Sequence, residues 1–117
     1  MTTSKADATY DEIDARILAD TIKPLISAEI IEEHKRNPIG IHSDALERVL
    51  IYLRRHGLRT AGKYILVCTR PHQEWRIARL SGVRGEPPTI DESASFASRE
   101  QAEHGVLLKR LADLGCI

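Results

Sequence analysis

The stretch from Gly62 to Gly82 constrains this chain more than any other. Two runs rich in β-branched and aromatic residues, Tyr64-Ile65-Leu66-Val67-Cys68 and Trp75-Arg76-Ile77-Ala78, flank five polar or turn-forming residues, Arg70 to Glu74. That pattern predicts an antiparallel hairpin with a medium-length loop. In the first strand Tyr64, Leu66 and Cys68 alternate with Ile65 and Val67, so both faces are apolar and cover on both sides is expected. The same alternation points Cys68 inward as a buried structural thiol. In the second strand Trp75, Ile77 and Arg79 alternate with Arg76, Ala78 and Leu80, and each face is only partly apolar. A lone hairpin is marginal in water. The rest of the chain must cover it.

The flanking sequence reads as helices. Thr9-Tyr10-Asp11-Glu12 fits a capping box, and Ile13, Ile17 and Leu18 follow at helical spacing, predicting a helix over about residues 10–22. Pro24 should end or kink it. Leu25, Ile26, Ile30 and Ile31 resume the pattern until Asn37-Pro38 stops it, giving two short helices or one kinked helix. Ser43 caps a clearer helix over residues 44–56, carried by Leu46, Val49, Leu50 and Leu53 and stopped by Gly57. Ser81 to Thr89 is a loop that can lead to a short edge strand. Ser98-Arg99-Glu100-Gln101 is a second capping box, opening a last helix through Val106, Leu107, Leu111 and Leu114 that ends at Gly115.

The fold class expected is therefore α+β: a two-stranded antiparallel hairpin, with a short third edge strand as an option, packed by about four short helices in the order α-α-α-β-β-α. Residues 1–8 read as a mobile tail and residues 9–117 as one domain, which is what 117 residues can support. No apolar run approaches the ~20 residues of a membrane span, no signal-peptide core follows Met1, and Cys68 and Cys116 form no ligand-spaced pair. The expectation is a cytoplasmic chain with reduced thiols.

Net charge is zero but unevenly spread. Residues 1–47 hold five Lys/Arg against ten Asp/Glu; residues 48–84 hold nine against one; residues 85–117 hold three against six. Internal complementarity between acidic helices and a basic centre accounts for this most simply. The alternative is an anionic partner, as for an adaptor or nucleic-acid-binding module using residues 48–84. Nucleic-acid readout wants several aromatics interleaved with the basic residues on one exposed face, and one Trp and one Tyr on different strands weigh against it.

The search for chemistry excludes more than it finds. His34, His42, His56, His72 and His104 show no ligand spacing and read as scattered surface histidines. Ser43 is committed as a cap, and Gly82-Val83-Arg84-Gly85 is too short for a phosphate loop. No catalytic or metal-binding residue is assigned. What stands out is the hairpin's loop end: Tyr64, Arg70, His72, Glu74, Trp75 and Arg76 have the composition of a partner-binding surface. Against this, Trp75 can equally be the core's largest plug with Arg76 snorkelling beside it.

Several segments also carry a resemblance. Asn37-Pro38-Ile39-Gly40-Ile41-His42-Ser43, Leu46-Glu47-Arg48-Val49 and Tyr52-Leu53-Arg54 are followed by Gly62-Lys63-Tyr64, Glu74-Trp75-Arg76-Ile77-Ala78 and Gly85-Glu86-Pro87-Pro88. Phe96, Ser98-Arg99-Glu100, Ala102-Glu103-His104 and Leu108-Lys109-Arg110-Leu111 complete the series. In order and spacing, over roughly residues 30–111, this resembles the small subunit of N,N-dimethylformamidase. The resemblance implies a role in an enzyme that hydrolyses N-substituted formamides to formate and an amine. It implies a much larger partner subunit, in a heterotetramer or larger assembly, and a mononuclear iron held by tyrosine and carboxylate ligands in that large subunit. Those ligands have no counterparts to carry over here, so a non-catalytic small subunit is expected, with no cofactor of its own.

Overall fold

In the structure, a computed structural model, residues 12–59 and 62–117 are described. The predicted tail over 1–8 and the cap residue Thr9 lie outside them. The first helix, α1, is α-helical over residues 12–17, widens into a π-helical stretch at Leu18–Ile22 and tightens into a 3-10 turn at Lys23–Leu25. Pro24 sits in that final turn, and Ile26 is extended (φ −78°, ψ 114°). Pro24 thus separates two helices and does not kink one.

Helix α2 spans Ala28–Arg36, where the Ser27 side chain accepts from the Ile30 N–H at 3.4 Å. Helix α3 spans Asp44–Arg59. Its cap, Ser43, accepts from the Leu46 N–H at 3.3 Å, and its own N–H and hydroxyl both donate to Glu33 at 2.6 Å. That clamp joins the two helices and holds the Glu33 carboxyl below its usual range through the Ser43 hydrogen bonds. Helix α3 passes the predicted stop at Gly57. A helix-interior glycine costs only about 1 kcal/mol, too little to end sixteen residues of packed helix.

Strands β1 (Tyr64–Arg70), β2 (Glu74–Arg79) and β3 (Thr89–Ile90) form an antiparallel sheet in that order. The register pairs Leu66 with Ile77, Cys68 with Trp75 and Ala78 with Ile90. The hairpin loop is tighter than the sequence suggests, because Arg70 and Glu74 already pair. The turn between them closes by the Gln73 N–H donating to the Arg70 carbonyl at 3.0 Å, with His72 at φ 60°. Pro71 followed by a left-handed residue is the pattern of a type II turn. Helix α4 spans Arg99–Asp113. Ser98 caps it, and Gln101 reaches back to the Ala97 N–H, one residue earlier than a standard box. Gly115 (φ 72°) closes it in a Schellman motif: its N–H donates to the Ala112 carbonyl and the Cys116 N–H to Leu111.

The main core is helical. Ile22, Ile30, Leu46, Val49, Tyr52, Leu53, Leu107 and Leu111 form one buried cluster with no strand residue in it. Helix α4 is the link to the sheet. Where it passes under the strands it carries Gly105, and a Cβ there would lie 2.7 Å from the Phe96 ring and 3.2 Å from Ile77. Ile77 and Ala78 are the buried residues of the sheet. The expected burial of β1 on both faces is not met: its first four residues are half-buried and its last three exposed. Cys68, placed inward by its alternation, is exposed, since the strand runs on past its cover to the hairpin turn. No helix of the described residues is long and apolar enough to cross a membrane.

Candidate functional site

A cleft of about 560 Å³ opens between α3, β1 and α4. Leu50 and Arg54 of α3 form one wall, β1 the other, and Val106 and Arg110 of α4 the floor. Such a volume, lined by a mixture of apolar side chains and charged groups, is within the range of binding sites. Within it Arg99 and Glu103 pair at 3.7 Å, one turn apart on α4. Arg54 and Arg110 have no carboxylate at ion-pair distance among the described residues. Burial lowers the Arg110 guanidinium from its usual value; nearby Glu103 opposes that shift and Arg54 adds to it.

The structure divides the six residues picked out from the sequence. Tyr64 and Trp75 line the cleft together. Tyr64 also faces Asp113, to which its hydroxyl donates at 2.5 Å, while Arg79 donates to both at 2.5 and 3.1 Å. Burial, then Asp113, raises the phenol above its usual range. Trp75 is half-buried, and its backbone exchanges two 2.8 Å hydrogen bonds with Phe96, so it is fixed from behind. Glu74 and Arg76 are turned toward their own chain. Arg76 pairs with Glu74 at 3.1 Å and donates to the Glu92 and Ala94 carbonyls. Glu74 also accepts from Thr69 at 2.8 Å; Thr69 and Arg76 hold its carboxyl below the usual range. Arg76 does not snorkel; it ties β2 to the segment before α4. Arg70 and His72 are left exposed at the hairpin turn.

Among the described ion pairs, the basic centre is answered by Asp44 through Arg48, by Glu74 and Glu92 through Arg76, and by Asp113 through Arg79. The complementarity expected from the charge blocks is therefore partly local and partly with the C-terminal third.

The histidines are not all scattered over the surface. His34 is buried at 4% exposure, its Nδ1 lies 2.9 Å from Nδ1 of His104, and its ring stacks on His42 at 5.9 Å. One Nδ1 of the first pair must carry a proton and the other must not. Burial, then the two neighbouring rings, pushes His34 down to about 4, and burial lowers His104 as well. His42 spends its nitrogens elsewhere, donating from Nε2 to the Asn37 carbonyl at 2.6 Å and facing Glu47 from Nδ1 at 3.2 Å. The trio does not converge on one point. Among the described residues no three His, Cys, Asp or Glu side chains are placed together to hold a metal ion.

Against this geometry, the comparisons with known proteins are specific. A family model described as N,N-dimethylformamidase alpha subunit matches residues 8–117. The chain belongs to that family. It is 37% identical over 109 residues to the N,N-dimethylformamidase alpha subunit of Paracoccus aminophilus, covering 90% of this chain and 74% of that one. It is 36% identical over 112 residues to the protein of the same name from Alcaligenes sp, covering 92% and 79%. The family match thus reaches beyond residues 30–111, into the N-terminal helices. Both relatives are named as alpha subunits, whatever their size relative to their partners.

Proposed function

We propose that this chain is the non-catalytic small subunit of a heteromeric N,N-dimethylformamidase-like amide hydrolase. In this reading residues 9–117 form one domain that packs on a large catalytic chain, in a heterotetramer or larger cytoplasmic assembly. The large chain carries the iron and cleaves N-substituted formamides to formate and amine. The family match over residues 8–117 carries the proposal. The structure adds a motive for association: a sheet whose first strand ends exposed, beside a cleft lined by Tyr64 and Trp75.

The test is to purify this chain alone and together with the large chain from the same source, and to follow amine release from N,N-dimethylformamide. The two chains are expected to co-purify, with activity only in the complex. Amide hydrolysis by the isolated chain would overturn the non-catalytic assignment. Failure of the two to associate under any activating condition would remove the subunit reading itself.

A further inference from the structure

We propose that an extended segment of the catalytic partner adds a strand to the free edge of β1 and sets a carboxylate between Arg54 and Arg110. This rests on the subunit reading above. Three observations select the occupant.

The first is the edge. Strand β1 is outermost in the order β1-β2-β3, and among the described residues the backbone of Ile65 to Thr69 bonds only to β2. A row of open N–H and C=O groups on an apolar strand is usually blocked by a proline, a lysine or a bulge. Here the only irregularity falls between Cys68 and Arg70, beyond Ile65-Leu66-Val67.

The second is the path of the cleft. Successive strand residues point to opposite faces, yet Tyr64, Ile65 and Leu66 all line the same cleft. A cleft that runs along the edge of the strand accounts for all three, with Trp75 of β2 bordering it as well. An occupant therefore meets main-chain donors and acceptors as well as side chains, and a polypeptide in β conformation satisfies such a row where a small molecule cannot.

The third is charge. Arg54 and Arg110 both line the cleft and repel one another, and the one carboxylate among its described lining residues, Glu103, is paired with Arg99. The complement is a Glu or Asp on the incoming strand, next to apolar side chains that meet Leu50, Ile65 and Val106.

The test compares amide hydrogen exchange in the full chain alone and in its complex with the catalytic chain. Alternate amides from Ile65 to Thr69 are expected to slow by roughly tenfold or more on assembly. The double variant Arg54→Glu/Arg110→Glu, checked by circular dichroism, is expected to weaken the complex on the order of 30-fold. Unchanged exchange in β1 within an intact complex would overturn the proposal and leave the subunit reading standing. Absence of any complex would count against both. Slowing of the same amides by millimolar benzoate alone, with no catalytic chain, would show a small-anion site instead.

Discussion

Two residues show how local chemistry sets conditions on the whole chain. His34 and His104 share a single proton across 2.9 Å, which requires at least one neutral ring. Glu33 is the acidic neighbour of His34, with His42 on its other side; Glu32 and Lys35 act on His104. Because burial depresses the folded-state value of His34 from 6.5 to about 4, the unfolded chain binds the proton more readily between those limits. The stabilisation is complete above pH 6.5 and lost as the pH falls toward 4, by up to roughly 3 kcal/mol. Urea midpoints measured at steps from pH 7.5 to 4.5 should fall accordingly. In His34→Gln the slope should lessen, with the remainder due to His104; an unaltered slope would exclude His34 as its source. His72 makes the opposite kind of demand. At φ 60° it occupies a conformation that disfavours a branched side chain. His72→Val should lower stability by about 1–2 kcal/mol, while His72→Gly should be neutral within about 0.5 kcal/mol, as read from thermal unfolding.

At the scale of the elements, α4 is the most constrained. Phe96 crosses it at Gly105, and a single methyl there comes within 2.7 Å of the ring. Alanine would gain helix propensity of up to about 1 kcal/mol but must displace Phe96. Gly105→Val adds a second branch against Ile77 and should cost roughly 2 kcal/mol or more. Denaturant unfolding of the two variants separates these contributions. The elements themselves were mostly legible in the sequence because their signals are local. Ser43 and Ser98 cap the helices that follow them, Pro24 and Gly115 end helices, and the alternation around Ile65 and Ile77 marks the hairpin. What was not legible depends on distant neighbours. His34 and His104 are seventy positions apart and meet only when α2 packs beside α4. The exposure of Cys68 reflects where its cover ends, which alternation within β1 does not encode. The cleft could be anticipated only through Tyr64 and Trp75, because Arg54 and Arg110 gain meaning once α3 and α4 lie on either side of a strand edge.

For the molecule as a whole, the distribution of polar contacts separates structural residues from those available to a partner. Glu74 and Arg76 are occupied by bonds within the chain, whereas Trp75 is braced by Phe96 and keeps its side chain on the cleft. In the assembly proposed above, Trp75→Ala should therefore weaken association with the partner chain by ~2 kcal/mol or more, seen as faster dissociation in surface-binding measurements. If assembly is unchanged and only the chain's own melting temperature drops, Trp75 belongs to the core alone. The exposed ion pairs, such as Arg79 with Asp113, are each half open to solvent and should contribute at most ~1 kcal/mol.

Helix α4 offers Leu107 and Leu111 to a cluster that contains no strand residue, while Gly105 on the same helix supports the sheet. Two cooperative unfolding units joined by one shared strut should result. In native-state hydrogen exchange, amides of α1 to α3 should merge into one denaturant isotherm and those of β1 and β2 into another of lower free energy, with α4 opening last. A single isotherm for every slow amide would show the chain to be one unit. If there are two, the sheet can loosen and re-form while the helices stay folded, and assembly would then act as the step that completes folding of the smaller unit.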